Sequence, residues 1–354
     1  LNQKKSSSGI AKMSKSSSLS QPDIYLSFFM FTTDLKPDNS EYRKTVVEHI
    51  KKLQDFGYTG FEFPIAPPPP GTTNYAQDDL KNYTELRSYL DSEGLTEVKI
   101  STNVGATPSF DPSSPDPDIR QEALDYLKSR VDITAALRGN IMMGPIVIPY
   151  GLFPVTESTK QPIWSDQLQD YLKGRYENAQ PILNQLGEYA KGKNVKLAIE
   201  PITHWETSGP NKLSQLIEFL EEVPSKQVGV VIDSAHETLD GEGPEIFEQQ
   251  VKYLAEQERL HYIQVSPPDR GAIHTSWLPW QSFLKPILKV YHGPMAVEIF
   301  NAIPAFTNSL RLTRRKFWIP GEDAANEYPS AYDIADLAIK ATRQEIVETI
   351  NSYR

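Results

Sequence analysis

The chain has 354 residues, 39% of them hydrophobic and none cysteine, with a formal net charge of −10 and a pI near 5.2. Such acidity repels phosphate backbones and anionic membranes, so neither nucleic acid nor a membrane is an expected partner. Without cysteine there is no disulfide, thiolate nucleophile or zinc–sulfur site, and no apolar run reaches the roughly 18–20 residues that span a bilayer.

Residues 1–22 are rich in Ser and Lys and poor in apolar side chains. They read as a disordered tail or leader remnant, with Met13 offering an internal start. From Asp23 onward short β-rich runs alternate with helical patterns. The strands are expected at 24–30, 60–64, 98–102, 141–147, 196–201, 228–233, 260–265 and 295–300. Between them, residues 42–56 place Val46, Val47, Ile50 and Leu53 near helical spacing and stop at Gly57. Residues 119–137 do the same with Ala123, Leu124, Leu127, Val131 and Ile133, and 213–223 and 331–350 behave likewise. Strand–helix alternation implies parallel pairing through crossover helices, and eight units close a (β/α)8 TIM barrel built as a single domain over residues 23–354. A doubly wound open sheet would carry a Gly-rich phosphate loop early. Here the run Pro67–Pro70 before Gly71 stiffens a loop instead. Two segments, 66–77 and 302–330, are long for loops and leave the C-terminal ends of strands, where barrels build their sites.

Four polar residues end strongly apolar strands: Glu200, Asp233, Gln264 and Glu298. They are 33, 31 and 34 residues apart, about one β/α unit each, so consecutive barrel strands would aim all four into one mouth. A strand-end polar residue taken singly reads equally well as a cap. Crowded carboxylates at an apolar barrel end lose hydration and repel one another, and a divalent cation resolves both costs. Oxygen-rich ligation without thiolate favours one Mn or Mg ion, with Co or Zn compatible.

The residues at these strand ends resemble the xylose isomerase-like TIM barrels, in particular the D-tagatose/D-psicose 3-epimerase branch of sugar isomerases and epimerases. The resemblance covers nearly the whole chain from Ile24. It rests on Phe56-Gly-Tyr-Thr-Gly-Phe-Glu62, Asp116-Pro-Asp-Ile-Arg120, Met143-Gly-Pro-Ile146, Glu200 with Glu206 six residues on, Asp233-Ser-Ala-His236, the Gln264-to-Arg270 spacing and Glu298. It implies Glu200, Asp233, Gln264 and Glu298 as metal ligands and Glu206, His236 and Arg270 as substrate contacts. The epimerases usually have His where this chain has Gln264, whereas the hydroxypyruvate isomerase branch carries Gln there, so substrate is put in question more than metal. His261 is three residues from Gln264, hence on the other face of its strand, and His274 is a second nearby histidine.

The expected chemistry is proton transfer beside a carbonyl through an enediolate, with Glu200 and Glu298 as the catalytic pair. Delivery from opposite faces epimerises; return to the neighbouring carbon isomerises. His236 is expected on the loop leaving its strand. Trp205, Trp277, Trp280 and Trp318 are candidates for a sugar-facing wall, with core packing the competing reading. A metal-dependent lyase or dehydratase acting on a 3-oxo-sugar or C-glycoside would use the same ligands. A non-catalytic sugar-binding barrel would not need the full set. An apurinic-site endonuclease would need a histidine-rich zinc cluster and a basic surface, against six histidines and an acidic chain. The partner implied is a small carbohydrate, with homo-oligomerisation and a cytoplasmic location expected from the resemblance.

Overall fold

A computed structural model describes residues 21–31, 36–155, 158–161, 163, 166–300, 317–319 and 328–353. Eight parallel strands close a barrel in chain order: β1 Ile24–Ser27, β2 Gly60–Pro64, β3 Lys99–Asn103, β4 Ile141–Gly144, β5 Lys196–Ile199, β6 Val228–Asp233, β7 Leu260–Val265 and β8 Met295–Val297. The barrel closes through Ile24–Met295, Tyr25–Ala296 and Leu26–Val297 pairs between β1 and β8. The helices are α1 Ser40–Phe56, α2 Tyr75–Ser92, α3 Pro117–Ala136, α4 Asp166–Gly192, α5 Leu213–Glu221, α6 Ser234–Asp240, α7 Pro244–Glu256, α8 Trp280–Val290 and α9 Ala331–Asn351. Helix ends follow capping chemistry. Asn39 accepts the Glu41 amide ahead of α1, Gly57 ends that helix at φ +102°, and Ser330 forms a capping box with Asp333 at α9.

All eight expected strands are present, several shorter than their apolar runs. β1 stops at Ser27, where Ser27 Oγ accepts the Phe29 amide and Phe28–Phe31 turn into a 3-10 helix. β4, β5 and β8 also end before their expected runs do, and Ile146, Val147, Pro201 and Ile299 stay buried beyond the strand ends. The segment 66–77 is shorter as a loop than expected, because Tyr75 already opens α2. The short α6 was not foreseen. Most of 302–330, and residues 1–20 of the expected tail, lie outside the described residues.

Strand alternation sorts the side chains into two sets. Outward residues such as Leu26, Phe61, Ile100, Leu197, Ile232, Ile263 and Val297 meet the apolar helix faces in one large core. Inward residues Tyr25, Ile141, Met143, Ala198, Val231, Tyr262 and Ala296 fill the barrel interior. Tyr262 donates to or accepts from Ser101 Oγ at 2.8 Å there. Gly60 is required opposite Tyr25, since a Cβ would sit 2.4 Å from the Tyr25 ring. With the interior plugged by apolar side chains, the polar residues next along each strand can face only the C-terminal mouth.

Candidate active site

Glu200 follows β5, Asp233 ends β6, Gln264 lies in β7 and Glu298 follows β8. All four are buried and face the same mouth. The described geometry joins them, with Glu206, His236 and Arg270, into one continuous network.

Its centre is the Arg270 guanidinium. One nitrogen, Nη1, donates to Asp233 Oδ2 at 2.6 Å, Ser266 Oγ at 2.8 Å and Glu298 Oε2 at 3.1 Å. The other, Nη2, lies 2.8 Å from His236 Nε2. Arg270 sits at φ +57°, in the left-handed region that bulky residues rarely adopt, on a turn closed by its amide donating to Pro267 O at 2.8 Å. Phe300 lies beneath the guanidinium at 5.2 Å and stacks on Phe29 with centroids 5.0 Å apart. Burial works against the Arg270 charge, but Asp233, Glu298 and Glu206 outweigh it and hold the guanidinium charged.

Asp233 divides its oxygens: Oδ1 caps α6 by accepting the Ala235 amide at 2.8 Å, and Oδ2 faces the mouth. His236 therefore lies on the first turn of helix α6, and not on a loop as its spacing from the strand suggests. Its Nε2 is 3.1 Å from Glu200 Oε1 and 3.4 Å from Asp233 Oδ2, and its Nδ1 is 3.8 Å from Glu206 Oε2. Burial lowers the His236 pKa, and so does Arg270, but Asp233 and Glu200 reverse the balance and raise it. One nitrogen cannot donate to Glu200 and accept from Arg270 together, so the His236 proton and the Arg270 position are tied. Glu206 is fixed by the Thr203 hydroxyl and amide, which donate to its Oε2 at 2.5 and 3.2 Å.

Burial raises the Glu200 and Glu298 carboxyls above the usual carboxylate range, Glu298 well above it, with neighbouring Asp233 adding to both.

A residue not singled out from the sequence completes the arrangement. Glu62, inward on β2 and fully buried, accepts from Asn103 Nδ2 at 3.2 Å and from Gln264 Nε2 at 3.1 Å on both oxygens. Burial pushes its carboxyl up to about 7. The signal was available: Glu62 is an acidic residue in the apolar run Gly60-Phe-Glu-Phe-Pro64, as Glu298 is in its own. It was missed because it lies outside the regular spacing of the other four.

His261 points away from the mouth, its Nδ1 2.9 Å from Leu197 O, as strand alternation requires. His274 is exposed on the 3-10 turn Ile273–Thr275. Among the tryptophans, Trp280 packs against the outer core, the second of the two readings its sequence left open. Trp205 and Trp277 are largely exposed and Trp318 is half-buried. Among the described residues, Phe300 brings an aromatic ring to the site under Arg270.

The donor set suits a hard divalent cation. Single ligand atoms of Glu200, Asp233 and His236 lie within 4.8 Å of one another. Gln264 Oε1 is buried without a hydrogen-bond partner, an acceptor of the kind a cation satisfies. In this structure Arg270 supplies positive charge to Asp233 and Glu298.

Residues 50–316 match the xylose isomerase-like TIM barrel family. A proposed sugar phosphate isomerase/epimerase of Anabaena variabilis, solved by crystallography, is 75% identical with TM-score 0.89, covering 93% of this chain and all of its own. The ketose 3-epimerase of Arthrobacter globiformis is 22% identical over 302 residues, 84% of this chain and 92% of the relative. The D-allulose 3-epimerase of Methylomonas sp., solved with D-allulose, shares the fold at TM-score 0.70 and 18% identity, over 92% of this chain and 97% of its own. The closed barrel, the strand-end residues and this match together place the chain in the xylose isomerase-like TIM barrel family.

Proposed function

We propose that the chain is a divalent-metal-dependent sugar epimerase or isomerase that moves a proton beside the carbonyl of a ketose, with epimerisation at C3 as the first reaction to test. The observation that carries the reading is the pair Glu200 and Glu298: two buried carboxyls three strands apart around one barrel mouth, with Asp233 and Gln264 on the strands between them. The relatives named as ketose and L-ribulose 3-epimerases support the substrate class.

A cation would be held by Glu200, Asp233 and Glu298 carboxylate oxygens and by Gln264 Oε1, and would polarise the sugar carbonyl and stabilise an enediolate. One of Glu200 and Glu298 removes the carbon-bound proton and the other returns one from the opposite face, which inverts the carbon. Arg270 offers a forked donor to sugar hydroxyls once its acidic partners are engaged elsewhere. His236 and Glu206 lie beside Glu200 and orient hydroxyls through Nδ1 and the free carboxylate edge. Phe300 backs Arg270 and excludes water from that side.

The test is a panel of ketohexoses, their phosphates, 3-oxo-sugars and hydroxypyruvate, incubated with Mn-loaded enzyme in deuterated water. The reading expects a deuterium atom at C3 of a ketose and an epimeric product otherwise unchanged in mass. Loss of water or of an aglycone favours a lyase, and no exchange with any member contradicts the proposal.

A further inference from the structure

The geometry assigns Glu62 as a positioning residue for Gln264: it fixes the amide so that the oxygen, and not the NH2, faces the cation seat. The inference rests on the metal site proposed above and deepens it.

A glutamine is an ambiguous ligand. Its two ends are nearly the same size, one accepts and the other only donates, and a half-turn about the last bond exchanges them. With NH2 toward a cation the side chain repels it. The barrel interior leaves Gln264 no solvent to choose an orientation, since the residue is fully buried.

The neighbours decide it. Nε2 lies 3.1 Å from both Glu62 oxygens and 3.1 Å from Glu298 Oε1, so it is surrounded by acceptors, with the Met143 sulfur at 3.8 Å as the next contact. A flip would set the amide oxygen against these carboxylate oxygens. Glu62 is itself held in place, accepting from Asn103 Nδ2 and Ser27. The result is that Oε1, at the other end, is buried and unpartnered. Glu298 alone cannot enforce this, because its carboxylate is the one a cation would engage. Glu62 lies on β2, across the barrel from β5–β8, and accepts from Gln264 on its far side. This is the arrangement by which outer carboxylates commonly orient metal ligands, carried here on an amide.

The experiment measures Mn2+ affinity by titration at pH 8, above the Glu62 carboxyl's raised pKa of about 7, reading free Mn2+ by electron paramagnetic resonance, on the full chain, Glu62→Gln, Gln264→Glu and the exchanged pair carrying both substitutions. Thermal unfolding of the same samples in EDTA reports fold integrity. Glu62→Gln replaces one acceptor oxygen with a donor, so both Gln264 orientations become acceptable; affinity should fall roughly 10–100-fold, the range for loss of such a partner. A carboxylate at 264 presents oxygen at either end and needs no orienting, and an amide at 62 can donate to it. The exchanged pair should therefore bind Mn2+ at least tenfold more tightly than Glu62→Gln alone. Native-like binding by Glu62→Gln overturns the inference while leaving the metal site standing. So does an exchanged pair as weak as Glu62→Gln with the same unfolding midpoint. A full chain that binds no Mn2+ overturns both.

Discussion

If Asp233 and Glu298 ligate a cation as proposed, the ion and Arg270 would compete for the same carboxylate oxygens. Substituting Arg270→Met keeps the apolar stem over Phe300 and removes the guanidinium that bridges Asp233 and Glu298 at 2.6 and 3.1 Å. The two carboxylate side chains are 0% and 2% exposed and the Arg270 side chain 12%, so water is poorly placed to compensate. Removing one partner of such a buried pair costs about 3–5 kcal/mol. For a domain of this size that corresponds to a fall in Tm of roughly 4–7 °C in EDTA. Saturating Mn2+ should reverse the loss, because the ion neutralises the same oxygens without first displacing a guanidinium. At a hundredfold excess over Kd, binding adds about 2.7 kcal/mol, and Kd itself should be tighter in the variant. Calorimetric unfolding of both proteins in EDTA and in Mn2+ measures all four values. The expected result is a larger Mn2+ stabilisation in Arg270→Met than in the parent, together with loss of turnover. Equal or smaller stabilisation in the variant would refute the competition.

Glu298→Gln should keep the parent's far-ultraviolet dichroism while lowering kcat by at least about 100-fold, the span usually attributed to a general acid–base group; a coupled assay on the folded variant reads the rate. The pH dependence of the metal-free protein follows from Glu62. Its carboxyl is pushed up from 4.5 to about 7 by burial, so between these values the folded chain holds a proton that the unfolded chain has released. Stability therefore falls as pH rises through that window, by on the order of 3 kcal/mol for this group, and Glu62→Gln should flatten that part of the slope. Unfolding midpoints at pH 5 and 8 in EDTA read it directly, and a steeper slope in the variant contradicts it. Gly144→Ala should destabilise by at least about 2 kcal/mol, since the residue lies at φ +138° and a Cβ would sit 2.0 Å from Val104 O; denaturant melts would reveal a tolerated alanine.

The barrel was legible because its signal is redundant: eight apolar runs, each followed by a helical pattern, and turn chemistry such as Gly57 after Leu53. Strand ends were less so. In Met295–Phe300 the apolar run continues past the last strand residue, because Ile299 beyond Val297 is buried as deeply as the strand itself. At the site, Glu200, Asp233, Gln264 and Glu298 could be picked out by periodic spacing, which consecutive β/α units impose. Glu62 breaks that period because two strands, β3 and β4, lie between β2 and β5. The bond between Gln264 and Glu62 spans 202 residues and no local pattern encodes it. The helix that carries His236 was hidden for another reason. Asp233 serves as its cap, so a residue read only as a ligand also starts the next element.

The central claim is that Glu200, Asp233, Gln264 and Glu298 share one cation. A crystal grown with Mn2+ and measured at the manganese absorption edge tests it directly. The account predicts one anomalous peak within about 2.0–2.6 Å of an oxygen from each of the four, with Arg270 withdrawn from Asp233. A peak elsewhere, or none while Arg270 keeps its bonds to Asp233 and Glu298, would contradict it.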